Sequence, residues 1–290
     1  MNSTALLLVV TAAIAHASWN LIAKRAAHIG PAFVFAYGVS ATILYAPWVG
    51  WILIHENNNW SWQIILCMTL SGALHLAYSL FLQKGYQVAD LSIVYPVARG
   101  TGPFLSTLGA LLILNEPATV QSIGGMLCVV LGVLLIATQG QITRLFRPTA
   151  IVGVRWGFIV GLFIASYTLV DAYGVKTLLV APVLFDWATC AARTLIMLPH
   201  FARNPQKAWG SMRGYWTLAW AVGFLSPLGY ILILYALQIG TSVSLVAPAR
   251  EMSMLLVTLA GLVLLREPVG WGRFLGCCSI ALGVVLLASS

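Results

Sequence analysis

Charge is what this sequence has least of. Only seven Asp and Glu stand among 290 residues, and the four charged types together make up 8% of the chain. A soluble domain carries roughly 25%. So few charges cannot cover a water-facing surface, so most of the outer surface must face lipid. Basic tracts are missing as well. The formal net charge is +8, yet no stretch approaches the roughly 5–8 consecutive Lys and Arg of a nucleic-acid patch. The basic residues stand singly or in pairs between apolar runs, as in the cytoplasmic loops of membrane proteins. A nucleic-acid partner is therefore not expected. No Gly-x4-Gly-Lys-Ser/Thr loop occurs, which excludes a self-contained nucleotide-driven pump. The five cysteines, Cys67, Cys128, Cys190, Cys277 and Cys278, lie inside apolar runs without metal-ligand spacing. They read as small packing residues, and neither a metal nor a cofactor is implied.

What is present is apolar. Hydrophobic residues make up 60% of the chain, and its mean hydropathy is +0.93. A bilayer core about 30 Å thick needs roughly 20 apolar residues as helix. Ten such runs can be marked, at about 4–23, 32–54, 63–83, 91–114, 119–139, 153–173, 181–199, 215–236, 242–265 and 270–288. The first has no basic leading segment or cleavage site and reads as a retained helix rather than a signal peptide. The polar breaks are short, so the spacing predicts an all-α integral membrane bundle with no soluble domain.

Sliding the chain along itself by 151 residues superposes its halves without a gap. Ala98-Arg99 falls on Ala249-Arg250, Thr107-Leu108 on Thr258-Leu259, Glu116-Pro117 on Glu267-Pro268, Gly125 on Gly276 and Gly132 on Gly283. Pro31/Pro182, Gly72/Gly223 and Gln87/Gln238 extend the register upstream. The expected domains are thus a first five-helix repeat over 1–140 and a second over 152–290. Five is odd, so the second repeat enters the membrane inverted, the arrangement that places a transport site near the midplane. Charge agrees with the count. The odd-numbered loops and their margins hold Lys24, Arg25, Lys84, Arg144, Arg147, Arg155, Arg203, Lys207, Arg213, Arg266 and Arg273, and the even-numbered ones hold only Lys176. The positive-inside rule then makes the odd loops cytoplasmic and puts both termini outside.

The five-plus-five plan, the paired Glu-Pro after the fourth and ninth spans, the segment Tyr95-Pro-Val-Ala-Arg-Gly-Thr-Gly-Pro103 and the opening Ala15-His-Ala-Ser-Trp-Asn20 resemble the drug/metabolite transporter superfamily. More specifically they are similar to EamA-type proteins, in the branch associated with phosphonate utilisation. The resemblance covers essentially the whole chain. It implies a multi-pass protein of the inner cell membrane that moves small molecules, most often outward, as monomer or homodimer. Many members keep both termini cytoplasmic, against the charge bias read here. Small multidrug relatives use a carboxylate in the first helix for proton exchange; this chain has His16 and Asn20 there.

An ionised side chain inside the bilayer costs roughly 2.5–3.5 kcal/mol or more, so intramembrane charges are functional candidates. Arg99 and Arg250 each lie about eight residues into a span, roughly 12 Å deep. Approached from opposite sides they form a two-sided clamp for a carboxylate, phosphonate or phosphate. The structural alternative pairs Arg250 with Glu251 or Asp171 and leaves Arg99 to cap helix carbonyls. Prolines 96, 103 and 248 beside them would break the fourth and ninth spans around a cavity, or only kink them. His16, Trp19 and Asn20 share one face of the first span, with Asp171 in register with Asn20. His75, Tyr78, Ser226 and Tyr230 form a second polar layer, and Tyr95 completes the substrate-binding candidates. Asp171, Glu251, His16 and His75 are the groups able to carry a coupling proton. Arg193 reads as a snorkelling residue, Glu116 and Glu267 as acids at the start of their own next helix, and Gly153, Gly157 and Gly161 as a packing stripe.

The leading expectation is a secondary transporter, in the export direction, of a small anionic or zwitterionic metabolite such as an amino acid or organophosphonate. An exporter of organic cations or drugs is the second reading, with the aromatic residues stacking on the cation. An intramembrane enzyme is the reading of another class, and no nucleophile-and-base motif supports it.

Overall fold

The computed structural model describes residues 1–56, 60–203, 205–265 and 270–290. These fold into helices α1 (Ser3–Arg25), α2 (Pro31–His55), α3 (Trp62–Val88), α4 (Leu91–Leu112), α5 (Val120–Ala137), α6 (Ile151–Lys176), α7 (Pro182–Ala202), α8 (Pro205–Ser211), α9 (Trp216–Gln238), α10 (Val243–Ala249), α11 (Met252–Leu265) and α12 (Trp271–Ala288). Among the described residues there is no strand. In hydrocarbon a backbone must satisfy its own polar groups, which helices do within one segment.

Helix starts follow local chemistry. Pro31 and Pro182 open α2 and α7 at the first position, where no backbone donor is needed. Ser61 caps α3 by accepting from the Ile64 amide at 3.3 Å. Thr119 and Ser122 form a reciprocal capping box on α5, with both amide contacts at 3.0 Å.

Among the described residues, seven helices are long and apolar enough to cross a membrane: α1, α2, α3, α5, α6, α9 and α12. Of the remainder, α4 and α7 are long but carry Arg99 and, on α7, Asp186 and Arg193. The expected span at 242–265 is not one helix. It is interrupted at Arg250-Glu251, between the seven-residue α10 and the 14-residue α11. Pro248 has no amide to donate, and the chain tightens past it: Glu251 donates to the Pro248 carbonyl, Ser253 to Arg250 and Met254 to Glu251, all three residues back. The fourth span, in contrast, runs unbroken through Pro96 and Pro103. The short α8 lies in what the sequence presented as loop.

Packing interleaves the two halves. α1 lies on α9 as α6 lies on α3, α2 packs on α7, and α5 packs on α12. The glycine stripe of α6 meets α4. A Cβ on Gly157 would fall 2.8 Å from the Val94 carbonyl oxygen, and one on Gly161 2.9 Å from Thr101 Cβ. Between α5 and α12 the approach is backbone to backbone and reciprocal. A Cβ on Gly125 would lie 2.9 Å from the Gly283 oxygen, and one on Gly283 2.7 Å from the Gly125 oxygen. Gly132 and Gly276 repeat this at 2.6 and 2.8 Å. Because 125 faces 283 and 132 faces 276, α5 and α12 run antiparallel. At the crossing, Ser279 Oγ donates to the Cys128 carbonyl at 2.6 Å, and these two residues are 151 positions apart.

Candidate functional site

A cavity of about 410 Å³ lies among α1, α2, α3, α4, α6, α7, α9 and the break after α10, near the low end of the range of small-molecule pockets. Ten sequence-derived candidates line it: His16, Trp19, Asn20, His75, Tyr78, Tyr95, Arg99, Ser226, Tyr230 and Arg250. Asp171 does not. It is fully buried behind the wall, where Ser71 Oγ donates to it at 2.5 Å, Tyr230 donates its phenol, and His75 Nε2 lies at 3.1 Å. The His75 ring stacks on Tyr167 with centroids 3.9 Å apart and keeps its cavity-facing side open.

The two arginines are not equivalent, and their pairing corrects the sequence reading. It is Arg99, not Arg250, that pairs with Glu251, at 2.7 Å across the two halves. Glu251 is itself fully buried. Arg250 has no carboxylate within 4.0 Å among the described residues, and its Nε has no hydrogen-bond partner. Arg99 Nε and Trp19 Nε1 are likewise buried donors left open at the cavity. On the first helix, Asn20 spends its amide on the His16 carbonyl at 2.8 Å.

Sequence reasoning missed the α7 wall. Asp186, Thr189, Cys190 and Arg193 all line the cavity. Their spacing of i, i+3, i+4 and i+7 places them on one helical face, a signal present in the sequence. Arg193 thus points into the protein rather than towards the interface, with its guanidinium 5.7 Å from the centroid of the Tyr37 ring. Tyr167, the counterpart of His16 at the 151-residue offset, lines the cavity as well, and Tyr37 and Tyr86 are further aromatic liners that the sequence reading did not single out.

The cavity is long. It reaches Tyr86, about half a turn before the end of α3, at the end of the bundle where the α1–α2, α3–α4 and α7–α9 connections emerge, and runs back to Asp186, about one turn into α7 from the other end. Those connections carry Arg25, Arg203 and Arg213. The opposite end is tied shut by Glu116. Its carboxylate accepts from the Val243 and Ser244 amides at 2.8 and 2.9 Å and from Ser244 Oγ at 2.9 Å, and pairs with Lys176 Nζ at 3.0 Å. Lys176 also donates to the Thr241 carbonyl at 3.3 Å. Glu116 therefore serves the start of α10 in the other half, whereas its own next helix is capped by Thr119 and Ser122. Burial alone would raise the Glu116 carboxyl, but the Ser244 and Val243 amides and the Lys176 ammonium outweigh it and hold it below the usual carboxylate range. Glu267, its counterpart, lies outside the described residues.

The sequence profile of the EamA-like transporter family matches residues 3–138 and, a second time, residues 151–289. No curated protein gives a significant match. A solved structure titled only as a crystal structure of a protein superposes with a TM-score of 0.73 at 17% identity, over 99% of this chain and 96% of that one. At that identity the likeness concerns the fold alone.

Proposed function

Because the chain belongs to the EamA-like transporter family, and so is a multi-pass membrane transporter of the drug/metabolite superfamily, we propose that it is a secondary transporter for a small anionic or zwitterionic metabolite. An amino acid or an organophosphonate fits that description. The observation that carries this reading is the lone Arg250. A buried guanidinium whose neighbouring carboxylate, Glu251, is in direct contact with another arginine is costly, and this one faces a cavity together with the open Trp19 donor. A ligand acid group repays that cost with a charge-assisted, bidentate contact.

The route is alternating access between two inverted five-helix repeats, 1–140 and 152–290, that count α10 and α11 as one broken span. The antiparallel, reciprocal α5–α12 contact supports this plan, as does the double profile match. In the state described, the cavity reaches the basic end of the bundle at Tyr86, while the Glu116 contacts hold the other end together. By the positive-inside rule that end is cytoplasmic, so loading from inside and release outside, across the inner membrane, is the direction we favour. Among the proton-coupling candidates, the His75–Asp171 pair is the best equipped, because His75 touches both the buried acid and the cavity. His16 and Glu251 rank behind it: His16 has only an edge contact with Trp19, and Glu251 is committed to Arg99. One chain contains a complete path, so dimerisation is not required.

Uptake into proteoliposomes of labelled amino acids and organic anions, wild type against Arg250→Gln, tests the reading. Saturable flux that falls by roughly 10²-fold in the variant, the scale of a lost buried charge pair, is expected. Undiminished flux in a folded variant would remove Arg250 from the site.

A further inference from the structure

Away from the cavity, two cations stand on the outer surface of the bundle, on the faces that two long helices turn to lipid. Lys84 on α3 and Arg155 on α6 are both exposed, and each lies one turn inside its helix, four residues from Val88 at the end of α3 and from Ile151 at the start of α6. Both helix ends belong to the basic side of the bundle. Their neighbours on the same outward faces are apolar, Leu80 and Val88 on α3 and Ile151 and Phe158 on α6. Val88 and Ile151 lie beyond the charges, nearer the helix ends, and are 43% and 53% exposed. Apolar surface therefore continues outward past both cations. Among the described residues neither has a carboxylate within 4.0 Å.

The two helices pack antiparallel along one seam, where Ser71 meets Asp171, His75 meets Tyr167, Phe81 meets Phe163 and Gly85 meets Trp156. Extending that register brings Lys84 and Arg155 to within about three residues of the same level, roughly 4.5 Å along the helix axis. Between them the seam is aromatic: the Phe81 ring lies 5.8 Å from that of Trp156 and 4.9 Å from that of Phe163. The equivalent seam of the other repeat, between α9 and α1, has none of these groups. At the 151-residue offset Lys84, Arg155, Phe81, Trp156 and Phe163 become Tyr235, Thr4, Leu232, Ala5 and Ala12. Two exposed cations over an aromatic groove are thus no requirement of the fold, and they occur at one end of the molecule. A cation beside apolar surface needs a counter-ion at the level its side chain can reach, and lipid phosphate is the anion found there.

We propose that the α3–α6 seam is a binding site for one anionic phospholipid, with its phosphate between Lys84 and Arg155 and an acyl chain along Phe81, Trp156 and Phe163. Arginine offers a planar fork to phosphate and lysine a point charge. A headgroup with its own ammonium brings a third cation to the pair, so phosphatidylglycerol fits the site and phosphatidylcholine does not. Basic pockets between helices on the cytoplasmic side are suited to such headgroups. The site does not depend on what the cavity carries. Deeper along the same seam, His75 meets Asp171 and Tyr167, so the lipid braces one wall of the cavity from outside.

The test titrates the full chain in detergent with phosphatidylglycerol or phosphatidylcholine and counts retained lipid by native mass spectrometry. Wild type should hold one phosphatidylglycerol roughly tenfold or more tighter than phosphatidylcholine, the scale of two basic contacts at a membrane surface. Lys84→Gln/Arg155→Gln should lose that preference. Arg25→Gln/Arg213→Gln, which removes two exposed charges from the same side of the bundle, should keep it. Equal loss in both double variants would reduce the effect to general surface charge and overturn the site. Equal retention of the two lipids by wild type would do the same, and displacement of the lipid by millimolar inorganic phosphate would reassign the site to a free anion. The thermal stability of wild type should rise with phosphatidylglycerol and not with phosphatidylcholine, a comparison that needs no variant to fold.

Discussion

At the scale of single residues, the molecule divides its intramembrane charges into those that are satisfied and those that are exposed to a cavity. Arg99 and Glu251 belong to the first group, and removing one alone leaves the other buried and bare. Arg99→Gln is expected to destabilise the protein by roughly 3–5 kcal/mol, and Arg99→Gln/Glu251→Gln to recover most of that. Unfolding in detergent followed by tryptophan fluorescence would show it; equal loss in single and double variants would mean the pair contributes nothing. This partition was only half legible in the sequence. The depth of Arg99 and Arg250 follows from counting along a span, and so does the shared face of His16, Trp19 and Asn20. Which arginine keeps a partner depends on a contact between residues 152 positions apart, which no local pattern encodes. Asp186 was overlooked for another reason: it lies near a helix start, where an acid looks interfacial, and only the α7 face it shares with Arg193 betrays its place.

At the scale of helices, two devices set what each element does. The first is close packing through glycine. Gly132→Leu would force α5 and α12 apart where the Gly132 and Gly276 backbones meet, at a cost of roughly 1–3 kcal/mol or more. Gly124→Ala, whose added Cβ would meet nothing within 4 Å, should be neutral by the same thermal-stability measurement. The second is the break at Arg250-Glu251, which leaves α10 as a seven-residue piece carrying Pro248. Seven of the expected spans were recoverable from hydropathy to within a few residues, because lipid enforces the length of such helices. The break was not, because Pro96 and Pro103 look as disruptive as Pro248 yet leave α4 continuous. What separates them is the neighbourhood: α4 is braced along α6 through Gly153, Gly157 and Gly161, whereas α10 is held at its start by a side chain.

At the scale of the whole molecule, that side chain is Glu116, and it closes one end of the bundle. Its carboxyl is held below the usual range in the folded state. The stabilisation it gives is therefore full above the unfolded-state value of about 4.3 and is lost as pH falls through the lower folded value. Thermal stability of the wild type should decline in that acid window, and Glu116→Gln should start lower and stay flatter across it. A parallel decline in both would assign the acid sensitivity to other groups. Access provides a complementary check. In a variant with all five cysteines replaced by alanine, Tyr86→Cys should react with an impermeant maleimide from the basic end of the bundle and not from the Glu116 end. Labelling from both ends would mean that the Glu116 tie does not seal.

The contact between α5 and α12 also bears on how the chain comes into being. These two helices come last among those described in each half, and α12 is made after every other helix described. For as long as the second half is being made, the backbone of α5 around Gly125 and Gly132 has only lipid against a surface shaped for another backbone. This backbone-to-backbone approach is thus completed only once α12 has been made, and until then α5 stands in the bilayer without its counterpart.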